Sequence, residues 1–281
     1  MLKKKEKDLV KRCFLDGKVV FLTGAGISLE SGIPTFRGKG GLWERYDPDT
    51  YATIEGLASV LRRTPRKFVR FVEEFYEALL QAKPNPAHLA LAALEKSGIM
   101  SGVITQNIDN LHQRAGCRTV VELHGNAFRV RCQRCATGIP LEAQRIREMV
   151  SLLGKNAHSY RSLLSIFARY CPRCGVALSG AAGNCAGRFR IDVVFFGEML
   201  PEQEVARAYA LIDRCRTLAV VGSSLVVYPA ASLPLYAKQR GARVIEINAE
   251  PSALSAQIDY SFTGKAGVIL PEILDVLKIA G

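Results

Sequence analysis

The chain has 281 residues, 48% hydrophobic and 23% charged, with a formal net charge of +12. That is the composition of a soluble globular protein, long enough for one large domain and a smaller one. No apolar run approaches the roughly 18 residues of a membrane span, and the charged first eleven residues lack the apolar centre of a secretion signal; the expected location is cytoplasmic. Strong positive charge favours acidic partners. Yet residues 3–5 (Lys-Lys-Lys) soon alternate with Glu6 and Asp8, and the basic stretch 131–173 has no interleaved aromatics of the kind that stack bases. Direct nucleic-acid binding is compatible with the charge but supported by no motif.

Residues 18–23 (KVVFLT) form an apolar, β-branched run ending at Gly24, the pattern of a buried parallel strand meeting a glycine turn. Similar runs recur at 101–105, 191–196, 217–221 and 242–247, with helical patterns between, as at 86–97 and 202–214. Strands separated by helices predict an α/β fold: a Rossmann-type parallel sheet covered by helices on both faces. Small or polar residues follow each strand: 24–26 (Gly-Ala-Gly), Gln106-Asn107, Gly197, Gly222-Ser223-Ser224 and Asn248. In such sheets ligands bind beyond the carboxyl ends of the strands, so these segments are expected to converge on one crevice. The stretches 34–85 and 129–188 break the rhythm. The expected division is a Rossmann-type domain over 1–45, 98–128 and 189–281, a helical insertion with a cofactor loop over 46–97, and a zinc-binding module over 129–188.

The turn Gly24-Ala25-Gly26-Ile27-Ser28 lets a backbone approach a pyrophosphate at a helix start. Leu29 stands where a dehydrogenase fingerprint needs its third glycine, and no acidic residue is well placed at the end of the second strand. Hydride transfer is therefore disfavoured; a plain tight turn is the competing reading of so short a motif.

Eight cysteines include two Cys-x-x-Cys pairs, Cys132/Cys135 and Cys171/Cys174, with 35 residues between them. Without a secretion signal, paired thiols read as metal sooner than as disulfides. Four thiolates close a tetrahedral zinc site with no position for water, so the metal is expected to be structural. Arg131, Arg134 and Arg173 are placed to offset its negative charge; a redox role is the competitor. Cys13, Cys117, Cys185 and Cys215 are scattered. Of the four histidines, His88 and His158 have no implied partner, and His112 is expected to support the site from the helix after Asp109. His124, beside Gly125 at a strand end, is the candidate general base.

Taken together, the segments 24–28 (GAGIS), 31–38 (SGIPTFRG), 105–112 (TQNIDNLH) and 123–125 (LHG) resemble the sirtuin signature. So do the two cysteine pairs, Phe196-Gly197-Glu198, Gly222-Ser223-Ser224 and Asn248. The likeness spans roughly residues 14–275 and is nearest to bacterial and archaeal members. It implies an NAD-dependent protein-lysine deacylase with NAD as co-substrate and one structural zinc per chain. The acyl oxygen of a modified lysine attacks the anomeric carbon of the nicotinamide ribose, nicotinamide leaves, and an alkylamidate forms. The products are free lysine and O-acyl-ADP-ribose.

The resemblance also assigns residues. His124 is the base that activates a ribose hydroxyl, with Asn107 as its catalytic partner. The cofactor site it implies comprises Gly24, Ala25, Gly26, Ser28, Ile33, Thr35, Phe36, Arg37, Gln106, Asn107, Ile108, Asp109, Gly222, Ser223, Ser224, Asn248, Glu250 and Ala266. In it Asp109 meets the carboxamide, Phe36 and Arg37 cover the cofactor, and Asn248 binds the adenosine ribose. The acylated peptide adds as a strand between 197–199 and 225–227, with Val194, Phe196, Gly197 and Val226 as substrate residues. Three positions depart from the family: Leu29 replaces a small residue, Ile191 a common proline and Thr35 a frequent aspartate. Where the desuccinylase branch carries Tyr-x-x-Arg, this chain has Val72 and Phe75, read either as core packing or as an apolar acyl pocket that rejects succinyl. The functional alternatives are a mono-ADP-ribosyltransferase and a non-enzymatic nucleotide sensor, the latter opposed by the presence of His124 and Asn107.

Overall fold

The computed structural model describes residues 2–35, 40–175 and 184–279. Nine strands occur among them: β1 (Val19–Thr23), β2 (Met100–Thr105), β3 (Val120–Glu122), β4 (Gly125–Cys132), β5 (Gly138–Pro140), β6 (Phe189–Val193), β7 (Thr217–Val221), β8 (Arg243–Asn248) and β9 (Tyr260–Thr263). The chain divides into two compact units, residues 1–41, 82–124 and 200–281 in the first and 42–81 and 125–199 in the second.

The first unit holds a six-stranded sheet in the order β3-β2-β1-β7-β8-β9, with every pairing parallel. The unbroken apolar runs dictate it. All five residues of β1 and of β7 are buried, which only a sheet covered on both faces allows. Val19 and Phe21 enter one layer, with Leu91 and Leu94 of helix Pro86–Lys96 and Leu270 and Ile273 of helix Ala266–Leu277. Val20 and Leu22 enter the other, with Ala208 and Ile212 of helix Glu202–Ile212 and Leu233 and Ala237 of helix Leu233–Gln239. The chain runs outward from β1 through β2 and β3, then returns to β7 on the other side of β1. The reversal opens a crevice at the carboxyl ends of β1 and β7.

Two expectations change here. The run 191–196 is not a strand of this sheet. It contributes to β6, which pairs antiparallel with β4 in the second unit. Its Asp192 is held by this pairing: two arginines of β4 clamp the carboxylate, Arg129 at 2.5 Å and Arg131 at 2.8 Å. Helix Pro86–Lys96, grouped by sequence with the helical insertion, packs in the core of the sheet unit instead. The edge strand β9 had no sequence signal, because only its Phe262 is buried.

The second unit carries the small sheet β5-β4-β6 and helices Ile54–Arg63, Pro65–Gln81, Ala143–Lys155 and Tyr160–Tyr170. Its helices meet through aromatics: Phe71 lies 5.0 Å from Tyr46, 4.9 Å from Tyr51 and 6.1 Å from a stacked Phe75, and Phe68 lies 5.7 Å from Phe167. Among the described residues, no helix is long and apolar enough to cross a membrane.

Candidate active site and metal centre

The crevice floor is two glycine turns in contact. Gly24 follows β1 and Gly222 follows β7. The Gly24 N–H donates to Val221 O at 3.0 Å, and the Gly26 N–H to Gly222 O at 2.8 Å. A Cβ on Gly24 would lie 2.8 Å from Gly222 O, and one on Gly26 would lie 2.7 Å from Gly222 Cα. Gly222 itself is left-handed, with φ of 61°. The glycines are therefore required by the packing of turn on turn, in addition to any ligand they approach. The chain then enters a short 3₁₀ helix, Ala25–Ser31, rather than a long α-helix. Leu29, on that helix, is 54% exposed, so the departure there leaves the turn's packing untouched.

Polar side chains converge on this floor from neighbouring strand ends. Buried Ser28 donates to Asp109 Oδ2 at 2.6 Å, and Asn107 Nδ2 donates to Gly24 O and Ser28 Oγ, both at 3.1 Å. With its amide hydrogens spent inside the protein, Asn107 has its Oδ1 left as an acceptor. Asp109 also accepts from the Leu111 N–H at 2.9 Å. Burial pushes its carboxyl pKa up, against the opposing pull of the Ser28 and Leu111 hydrogen bonds. Gln106 Nε2 donates to Ser223 Oγ at 2.9 Å. Ser223 and Asn248 form a reciprocal pair: the Ser223 N–H donates to Asn248 Oδ1 at 3.1 Å, and Asn248 Nδ2 donates to Ser223 O at 2.9 Å.

His124 follows β3. Its Nδ1 lies 2.9 Å from Gln106 O. A carbonyl oxygen only accepts, so Nδ1 carries the hydrogen and Nε2 is the unprotonated nitrogen of the neutral ring. Burial pushes the His124 pKa down, more than the Gln106 carbonyl raises it. The result is an imidazole that is neutral at physiological pH.

The other expected cofactor residues lie in the same unit. Ala25, Ile33 and Thr35 are half-buried, Ile108 is buried, Ser224 and Glu250 are exposed, and Ala266 begins helix Ala266–Leu277. Phe36 and Arg37 lie outside the described residues. Of the expected substrate residues, Val194, Phe196 and Gly197 belong to the second unit and Val226 to the first. Phe196 donates its N–H to Ala52 O at 2.8 Å and meets the Trp43 ring at 6.4 Å. Its side chain is 41% exposed, as Val226 is 46%.

The metal centre corrects one ligand. The sulfurs of Cys132, Cys135, Cys174 and Cys185 all lie within 4.8 Å of one another. Cys171 is outside this group. It caps helix Tyr160–Tyr170, its N–H held by Phe167 O at 2.7 Å, and burial raises its thiol pKa to about 11. Cys185 takes the place expected of it because β6 starts just beyond and pairs Phe189 with Cys132. The two knuckles match: the Arg134 N–H points at Cys132 Sγ and the Gly187 N–H at Cys185 Sγ, each at 3.4 Å. A Cβ on Gly187 would sit 2.6 Å from Cys132 Sγ. Cys185-Ala-Gly187 was thus the overlooked signal, a cysteine two residues before an obligatory glycine at a strand entry. The Thr137 hydroxyl, 3.3 Å from Cys135 Sγ, helps lower that thiol to about 6. Four converging thiols with N–H···S contacts fit a closed structural zinc site. Arg131, expected to offset its charge, instead pairs with Asp192.

A Rossmann-type sheet with this polar crevice, together with a separate four-thiol centre, defines a nucleotide-binding protein with a structural metal module. The Sir2 family profile matches residues 24–229. An NAD-dependent protein deacylase of Pyrococcus furiosus is 44% identical over 259 residues, 92% of each chain. Among solved structures, a Sir2 homologue mutant in complex with ADP-ribose superposes with a TM-score of 0.76 at 38% identity, covering 99% of this chain and 97% of the other. A Sir2 protein with a deacetylated p53 peptide and 3′-O-acetyl-ADP-ribose superposes at 0.74 and 34%, covering all of both. The chain belongs to the Sir2 family.

Proposed function

We propose that this chain is an NAD-dependent protein-lysine deacylase that converts NAD, water and an acylated lysine to nicotinamide, free lysine and O-acyl-ADP-ribose. The observation that carries the reading is the His124–Gln106 hydrogen bond, which holds the ring hydrogen on Nδ1 and leaves Nε2 unprotonated. NAD supplies an anomeric carbon with a good leaving group. His124 takes the proton of a ribose hydroxyl as that oxygen attacks the acyl carbon. Asn107 offers Oδ1 to the ribose, and Asp109 accepts from the carboxamide. Gly24, Ala25, Gly26, Gly222, Ser223 and Ser224 approach the phosphates, whose charge suits backbone N–H groups at such turns. Asn248, Glu250 and Ala266 serve the adenosine end, and Ser28, Ile33, Thr35, Phe36, Arg37, Gln106 and Ile108 complete the cofactor site. The family resemblance assigns Val194, Phe196, Gly197 and Val226 to the acyl-lysine peptide.

The name of the Pyrococcus relative supports deacylation over transfer of ADP-ribose to protein. A cytoplasmic location is supported by eight cysteines that form no disulfide. The test is to incubate the protein with NAD and acetyl-lysine peptide and identify both products by mass. O-acetyl-ADP-ribose is expected; ADP-ribosylated protein without it would overturn the reading.

A further inference from the structure

Beneath the crevice, two histidines that the proposed chemistry does not use lie together in the core of the first unit. His88 is 0% exposed and His112 is 1% exposed. Their rings are 5.0 Å apart and tilted by 57°. His88 Nε2 and His112 Nδ1 are buried with no hydrogen-bond partner. A buried polar atom without a partner carries a desolvation penalty and calls for an explanation.

The remaining ring nitrogens supply it. The Asn85 N–H donates to His88 Nδ1 at 3.4 Å, closing a capping box at the start of helix Pro86–Lys96. A ring that accepts at Nδ1 carries its hydrogen at Nε2 when neutral. At the other ring, His112 Nε2 lies 2.9 Å from Thr23 Oγ1, and Thr23 Oγ1 donates to Thr105 Oγ1 at 2.9 Å. Thr23 has one hydroxyl hydrogen. With that hydrogen on Thr105, the bond to His112 must be donated by Nε2–H, which leaves His112 Nδ1 as a bare acceptor. The two partnerless atoms are then complementary: a donor on His88 and an acceptor on His112. Burial lowers the His88 pKa to about 4, and burial reinforced by His88 lowers that of His112 to about 3, so both rings stay neutral.

Two arms of hydrogen bonds, one from each ring, lead to the site. Thr105 Oγ1 accepts from the Asn107 N–H at 3.0 Å. In the other arm, Asn85 Nδ2 donates to Ile27 O at 2.7 Å and to Ser31 Oγ at 3.0 Å, on the short helix after the glycine turn. The rings are therefore linked through Asn85 to the segment after the glycine turn, and through Thr23 and Thr105 to Asn107.

We propose that His112, packed against His88 as a neutral, tautomer-fixed ring, anchors a relay that positions Asn107 for NAD through Thr23 and Thr105. Neither ring is a catalytic residue; His88 acts through the Asn85 N–H and His112 through the Thr23 hydroxyl. The proposal rests on the assignment of Asn107 to NAD and adds its support from below.

The test compares KM values for NAD and for acyl peptide in His112→Leu, Thr105→Val and His112→Gln, with Asn107→Ala as reference. Gln places an N–H where His112 Nε2 stood, so it keeps the bond to Thr23. Expected is a rise in the NAD KM of about tenfold for His112→Leu and Thr105→Val, the cost of one internal hydrogen bond. The peptide KM should change less than about twofold, and His112→Gln should recover most of the loss. Leu274→Ala, in the same core but off the relay, controls for stability and should leave the NAD KM unchanged at a comparable fall in Tm. Imidazole ¹⁵N shifts should show hydrogen on Nε2 of both rings. The proposal is overturned if His112→Leu and Thr105→Val match the parent, if His112→Gln is as impaired as His112→Leu, or if His112 carries its hydrogen on Nδ1. An unimpaired Asn107→Ala would instead overturn the assignment of Asn107, a distinct outcome.

Discussion

The two units of this molecule obtain their stability by different means. The sheet unit seals its central strands between two apolar layers, with a cluster of polar residues beyond their carboxyl ends. The second unit has only a three-stranded sheet, with a charged clamp at Asp192, an aromatic cluster and four converging thiols. Apolar burial supplies a core that survives small losses. A metal site concentrates the same task in four sulfurs and fails when one is lost. The unit that carries NAD chemistry should therefore be robust to chelation, and the unit that carries the metal should not.

Removing zinc tests this contrast most severely. A chelator, or Cys185→Ser, should forfeit most of an apparent metal-binding energy of about 10 kcal/mol. Hydrogen exchange should then accelerate over 125–175 while β1 and β7 stay protected. Cys171→Ser should retain one zinc per chain; metal analysis that finds the reverse pattern would restore Cys171 as the ligand. The next effect concerns rate and belongs to the sheet unit alone. His124→Ala should lower deacylation by about 10² to 10⁴-fold, the usual worth of a general base, while the dissociation constant for NAD stays within about threefold by calorimetry. Because burial lowers the His124 pKa, the acid limb of kcat/KM should turn below pH 6.5.

Acid separates the units by another route. His88 and His112 take up protons more readily when unfolded, since burial lowers them from 6.5 to about 4 and about 3. Stability should hold above pH 6.5 and fall as pH drops from there toward 3. His88 alone is worth on the order of 3 kcal/mol. Urea titrations at pH 7 and pH 4.5 check it: His88→Leu/His112→Leu should flatten the loss, and an equal loss in that variant would refute the cause. The smallest effect concerns the second unit's aromatics. Phe75 stacks on Phe71 and Val72 is half-buried, with no cation at either position to meet a carboxylate. Succinyl-lysine peptide should turn over about tenfold more slowly than acetyl-lysine peptide in kcat/KM; equal turnover would remove the apolar-pocket reading and leave only packing.

What the sequence disclosed follows from the same contrast. β1, β2, β7 and β8 were legible because a strand buried on both faces is a nearly continuous apolar run, broken in β8 by a Glu246 that Ser255 satisfies. The polar rim was legible as the small and polar residues after the strands, from Gly24 and Asn107 to His124 and Asn248. The second unit was harder to read. β6 carries an apolar run that looks like a sheet-unit strand, and only Asp192 betrays its antiparallel partner. The spacing of Cys171 and Cys174 suggested one knuckle, whereas the tertiary pairing of β4 with β6 brings Cys185 to Cys132. The edge strand β9 was silent because three of its four residues face solvent. The His88–His112 contact was hidden because it joins two helices through a packing that no spacing encodes.

The contact between the Gly24–Gly26 turn and Gly222 has a thermodynamic consequence. Backbone alone meets backbone there, so that part of the pocket has no rotamers to freeze when a dinucleotide arrives. Association at that surface gives up little configurational freedom on the protein side. Selectivity for the rest of the ligand is left to the side chains around it, which can vary without reshaping the base proposed for the phosphates.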